Sequence, residues 1–152
     1  MSTRALVAIM HGDNAKTITV HWDGYPEGVG STLYKHYDSV KTNHLISLGD
    51  VSSLGPTIGE KHPFSAFDTG ISVAQWESLY GDMTTFYGRD RDELNTEFRT
   101  FTTFQELLTY FNFAGCEYGY IMRDGIWYTF NFVNKNLRLL SDELAKKALL
   151  TN

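Results

Sequence analysis

The hydrophobic pattern of the chain changes period most sharply around one short segment. Ile18, Val20 and Trp22 alternate with Thr17, Thr19 and His21, the period of two that marks a strand. Beyond His21-Trp22-Asp23-Gly24-Tyr25-Pro26, the apolar residues Val29, Leu33, Tyr34 and Tyr37 recur at helical spacing. A strand therefore runs into a helix predicted over residues 26–37. Pro26 suits its first turn, where a missing N–H costs little. Asp23 is the candidate cap, with Ser31 as a later start. Such a junction aims free backbone N–H groups and the positive end of a helix dipole at whatever lies above it. Upstream, residues 4–10 alternate loosely through Leu6, Ala8 and Met10. With residues 16–22 they predict an antiparallel hairpin, closed by a loop of about five residues around His11-Gly12-Asp13-Asn14.

A second helix is predicted over residues 40–48, with Val40, Leu45, Ile46 and Leu48 as its apolar set and Gly49 as its left-handed stop. Residues 50–81 lose periodicity at Gly55-Pro56, Gly59 and His62-Pro63. Phe64, Phe67, Ile71, Val73, Trp76 and Leu79 make this segment too apolar for a solvated linker, so it is expected to pack down as a flap. Residues 83–87 alternate as a strand, 89–95 form a charged turn, and 97–101 form a further strand. Thr102 or Thr103, with Glu106, caps a helix over 104–111. Residues 117–122 and 126–132 flank Asp124-Gly125 as the clearest hairpin of the chain. A last helix covers 141–150, acidic at its start and carrying Lys146-Lys147 near its end. The expectation is one α+β domain over 1–152, with a mainly antiparallel sheet of about six strands and about four helices.

Composition narrows the classes of function. With 42% apolar and 14% aromatic residues, the 152-residue chain has enough material for a substantial core. A formal charge of −5 argues against broad nucleic-acid binding, though not against a small basic pocket. Cys116 is the only cysteine, so no internal disulfide and no cysteine-based zinc site can form. No apolar run approaches the ~18 residues of a membrane span, and no secretory signal pattern is evident. A soluble protein of a reducing cytosol is expected, with no metal and no cofactor.

Two constellations can carry chemistry. In the first, His21 is a base or hydrogen-bond donor, Asp23 binds a sugar hydroxyl or orients His21, and Trp22 and Tyr25 stack on a planar ring. The bland alternative is that Asp23 caps, Gly24 turns, and the aromatics pack. Gly28-Val29-Gly30-Ser31-Thr32 superficially resembles a phosphate loop but lacks the lysine and falls inside the predicted helix. The second constellation is Tyr87-Gly88-Arg89-Asp90-Arg91 with Arg99. Arg89 and Arg91 point the same way if strand geometry persists, and arginine forks bind phosphate bidentately. Asp90, Asp92, Glu93 and Glu97 can instead neutralise them as a solvated ion-pair face. Cys116 has no evident histidine partner and reads as core.

The segments Ser2-Thr3-Arg4-Ala5-Leu6, His21-Trp22-Asp23-Gly24-Tyr25-Pro26, Leu48-Gly49-Asp50-Val51-Ser52-Ser53-Leu54-Gly55, Tyr87-Gly88-Arg89-Asp90-Arg91 and Arg99-Thr100-Phe101 together resemble small proteins encoded by bacteriophages and prophages. The resemblance spans nearly the whole chain. It implies an origin, that of a phage accessory protein acting in the host bacterial cytoplasm, and assigns no catalytic residue. Proteins of that kind counter host defence by holding a nucleotide signal or by binding a host protein. The leading expectation is a non-enzymatic binder of a small phosphorylated ligand, with His21, Trp22, Asp23, Tyr25, Tyr87, Arg89, Arg91 and Arg99 as its site. The alternatives are an inhibitor that binds a host defence protein directly, and a nucleotide hydrolase or lyase using His21 and Asp23. A homo-oligomer is compatible with each.

Overall fold

The computed structural model describes residues 2–131 and 136–151. Among them, the strands form one eight-stranded mixed sheet. The central strand β1 (Ala5–His11) is buried along nearly its whole length, so its loose alternation reflects burial on both faces. It pairs antiparallel with β2 (Asn14–Val20). On its other side it pairs parallel with β6 (Tyr118–Arg123), register Ala5 with Tyr118. The sheet continues antiparallel from β6 into β7 (Ile126–Asn131) and β8 (Leu137–Leu139). The outer edge of β2 is shared. Its first half pairs antiparallel with β5 (Arg99–Phe101), while its end, at Val20, meets β3 (Val51–Ser53) in parallel. β3 is backed by β4 (Thr85–Phe86). The mainly antiparallel expectation therefore holds only coarsely, because two parallel pairings flank the central hairpin.

Helices lie on both faces. The path from β2 opens as a π-helical turn, Pro26–Gly30, and continues as α1 (Ser31–His36), followed by α2 (Ser39–Ser47). Both helices cover Ala5, Val7 and Ile9 of β1, together with Ile18, Val20, Tyr120 and Trp127. On the opposite face, α5 (Phe104–Phe113) packs Leu107 and Phe111 onto Leu6, Ala8 and Met10. Each such aliphatic or aromatic side chain contributes roughly 1.5–3 kcal/mol on burial. α6 (Leu140–Thr151) closes the chain beside α1.

Several local expectations change. The first hairpin turns through Gly12-Asp13 alone, with Gly12 at φ 61°, where only a glycine turns without strain. Trp22 lies beyond β2, although its N–H still reaches the Ser52 carbonyl at 3.1 Å. Val40 is 80% exposed, and Thr42 takes its place in the core. Residues 50–81 are not uniformly irregular: they hold β3, a 3-10 turn at Ala66–Asp68 and α3 (Val73–Tyr80), which Ser72 and Gln75 start with a capping box. His62 and Ile58 of this segment are buried, whereas Phe67 is 95% exposed. The predicted strand over 83–87 shrinks to β4, and the charged turn becomes α4 (Tyr87–Arg91), ended by Asp92 at φ 55°. The strand predicted to end at Phe132 is seen to Asn131; Phe132 lies outside the described residues.

Candidate functional site

His21, Trp22, Asp23 and Tyr25 occupy a corner where β2 gives way to the helical turn. The corner is fastened by its backbone. The N–H of His21 donates to Val51 at 3.0 Å and that of Gly24 to Thr3 at 2.8 Å. The Tyr120 hydroxyl donates to the Gly24 carbonyl at 2.6 Å. A Cβ at Gly24 would lie 2.6 Å from the Thr3 oxygen, so only glycine allows this approach. On this frame Trp22 is 46% and Tyr25 40% exposed. The His21 ring meets Trp22 edge-on at 4.5 Å between centroids.

The helix start presents fewer free donors than expected of it. Pro26 has no N–H, Gly28 donates to the Tyr25 carbonyl at 3.0 Å, and Val29 donates to that of Asp23 at 2.8 Å. Asp23 therefore closes the turn through its backbone, at φ 58°, and not as a side-chain cap. Its carboxylate accepts from the Tyr25 hydroxyl at 3.3 Å, which leaves His21 without a carboxylate to orient it. Partial burial, and then the nearby charge of Arg4, hold the His21 imidazole below its usual pKa. The charge of Asp23 pushes the Tyr25 phenol up.

The arginines do not converge, because α4 replaces the expected strand geometry. Arg89 forks onto Asp90 at 3.1 and 3.2 Å and also donates to the carbonyls of Ile58, Gly59 and Thr84. Asp90 itself is buried and accepts from the backbone N–H of His62 and Phe86. The His62 ring bonds Glu60 and Thr85 and stacks on Tyr80, joining the flap to this knot. Arg91 pairs with Glu93 at 2.6 Å and lies over the rings of Phe64 and Tyr87. Arg99 lies opposite Thr17 on the strand that leads into the corner. Its guanidinium meets Asp50 bidentately at 2.8 and 2.9 Å, and Asp50 also accepts from the Thr19 N–H at 3.0 Å. That hydrogen bond raises the pKa of Arg99. Tyr87 joins the same strip by donating its N–H to the Asp50 carbonyl at 3.2 Å. Burial pushes the Cys116 thiol up to about 11, which removes it as a nucleophile near neutral pH.

A cleft of about 750 Å³ lies at the other end of the sheet, between the end of α1, the tip of the β6–β7 hairpin and the start of α6. Tyr34, Lys35, His36, Ile126, Trp127 and Ser141 are among its lining residues. Sequence analysis missed it, since helical spacing placed Tyr34 on the core stripe, whereas its side chain is 50% exposed. No motif marks these residues. Among the described residues, no group of three or more His, Cys, Asp or Glu side chains is arranged to hold a metal ion. No described helix is long and apolar enough to cross a membrane. No family model matches the chain, and neither a curated protein nor a solved structure is significantly similar to it.

Proposed function

We propose that the protein is a binder, not an enzyme, and that it holds a small phosphorylated, nucleotide-like ligand at the β2–α1 corner. Its resemblance to phage-encoded proteins suggests the setting: the host bacterial cytoplasm, where sequestering a nucleotide immune signal counters host defence. The observation that supports this most is the aromatic shelf. Trp22 and Tyr25 stand half-exposed on a backbone tied to Thr3, β3 and Tyr120, and rigid exposed rings are suited to stacking on a base. Positive charge lies beside them. Arg4 bears on His21, and Arg99 is joined through Asp50 to Thr19, two residues before His21. In this arrangement the base stacks on Trp22 or Tyr25, Asp23 takes a ribose hydroxyl, and phosphate meets Arg4, protonated His21 and the outer edge of Arg99. Arg89 stays in its knot with Asp90 and takes no part. Binding is favoured over hydrolysis because Asp23 is turned to Tyr25 and not to His21.

Incubation with a nucleotide panel, removal of free ligand, heat release and chromatography test this. An intact nucleotide should come off the parent protein and not off Trp22→Ala or Tyr25→Ala. A chemically altered nucleotide would make the protein an enzyme. A second reading, direct inhibition of a host protein, is favoured by one observation: Phe67, Val73 and Leu79 of the flap present large apolar side chains to solvent. Capture of a host protein with no nucleotide bound would establish it in place of the first.

A further inference from the structure

We infer a second binding site, for a ring-bearing organic anion, in the groove that runs from the 750 Å³ cleft along α1 and α6. The cleft lies away from the corner, and only the far end of the groove, at Glu27, reaches the helical turn that follows it. β1 and β6 run parallel, so the β6–β7 tip lies at the end of the sheet opposite the β1 start and the corner. A second hollow of about 460 Å³ shares Tyr34, Lys35 and Ser141 with the cleft and extends it between the two helices. The cleft alone has the size of a small-molecule site, roughly 300–1,000 Å³.

Its chemistry follows from what is left unpaired. Arg89, Arg91, Arg99 and Arg138 each fork or bond onto an acid. By contrast, the side chains of Lys35 and His36 in the cleft, and of Lys147 in the adjoining hollow, make no hydrogen bond or ion pair with any described residue. The hydroxyls of Tyr34, Ser39 and Ser141 are likewise unengaged among the described residues. Two acids line the groove without pairing with these cations: Asp38, which caps α2 through the Lys41 N–H at 2.8 Å, and Glu27 in the adjoining hollow. In a chain of net charge −5, a groove that gathers unpaired cations selects for an anion. Tyr34 stands between the two hollows and offers a flat face to a ring. The floor is rigid, because Trp127 is buried and its Nε1–H donates to the Tyr37 carbonyl at 3.0 Å. The ring of the ligand rests on Tyr34, and its phosphate or carboxylate meets Lys35 and His36, with Lys147 reaching the far end.

Titration of the isotope-labelled full chain with AMP, followed by amide NMR, reads the site directly. Amides of residues 34–39 and 125–127 should shift, with those of 22–25 unmoved by occupancy of the groove. The Lys35→Ala, Lys147→Ala double variant should weaken this AMP response roughly tenfold or more. Tyr34→Ala should weaken AMP while leaving the weaker response to inorganic phosphate in place. Trp22→Ala should leave the groove response unchanged. All of these side chains are on the surface, so folding is preserved. Shifts confined to 22–25 and abolished by Trp22→Ala would overturn the groove and favour the corner. No shift at millimolar AMP, or a groove response indifferent to both lysines, would also overturn it.

Discussion

The two ends of the sheet handle charge in opposite ways. Along the strip that leads from the corner through Asp50 to α4, acids and arginines are tied to one another and to backbone groups, with Arg4 at the corner itself the exception. Asp50 holds Arg99 with both oxygens and a strand N–H besides, and Asp90 holds Arg89 while stitching His62 and Phe86 into place. At the cleft end, Lys35 and His36 have no acidic partner among the described residues, and neither does Lys147 in the adjoining hollow. A bidentate arginine between a buried acid and several carbonyls is a structural element, since withdrawing it leaves a charge in low dielectric. An unpaired surface lysine is the reverse: it costs the fold nothing and is available to a ligand. Density of charged residues in a motif therefore measures structural commitment as readily as binding capacity.

The strongest way to break that contrast is to remove the knot. Arg89→Ala leaves the fully buried Asp90 carboxylate without its counter-ion. Breaking a buried pair from one side costs about 3–5 kcal/mol. Urea unfolding should show a midpoint lowered accordingly, with the variant close to the limit of stability for a domain of this size. Lys35→Ala, made at the other end, should change stability by under about 0.5 kcal/mol and so barely move the same midpoint. An Arg89→Ala protein as stable as the parent would show that the α4 arginine is a free surface group after all.

The elements that were legible in the sequence are those fixed by neighbouring residues. Asp124 and Gly125 sit at φ 53° and 78°, the two positive values that a tight hairpin requires, so that turn could be read directly. Thr103 caps α5 by accepting from Glu106, and Gly49 stops α2 at φ 91°. What was not legible depends on distant partners. β3 and β8 are three residues each, too short to show a period, and exist because β2 and β7 offer them an edge. α4 forms where Asp90 folds back onto its own strand, and its carboxylate takes an N–H from His62, 28 positions away. The same holds for the candidate site. Asp50 and Arg99 are 49 positions apart, so nothing local warned that the arginine was engaged. The cleft has no motif because it is made from the ends of elements that meet only after folding.

At the corner, Gly24→Ala should come next in size. The added Cβ would meet the Thr3 oxygen at 2.6 Å and the Ala5 Cβ at 2.9 Å, one just before the central strand and one at its first residue, neither able to swing away. Overpacking of this kind costs about 1–3 kcal/mol. It should also move Trp22 and Tyr25 off their frame, so thermal unfolding and binding at the corner should suffer together while AMP binding in the groove is retained. Arg99→Ala should cost less, at the lower end of about 1–3 kcal/mol, because Asp50 keeps its bond from Thr19 and some access to water. If Arg99→Ala leaves stability unchanged yet abolishes corner binding, that arginine belongs to the ligand more than to Asp50.

The smallest effect is the dependence of stability on pH through His21. Partial burial, followed by the charge of Arg4, lowers the pKa of this imidazole in the folded protein. The unfolded chain, with its ordinary value of 6.5, therefore takes up the proton first as pH falls. The His21 contribution is thus neutral above that value and turns against the fold below it. His21→Gln should flatten the decline in urea midpoint on going from pH ~7 to ~5.5 by a small but measurable amount, since the ring is mostly solvated. The other four histidines are common to parent and variant, so the difference isolates His21. An anion held at the corner reverses the sign by favouring the imidazolium, and the His21 resonance should then titrate at higher pH. AMP seated in the groove should leave that resonance where it was. An equal upward shift from both would mean that the two ends are not electrostatically separate.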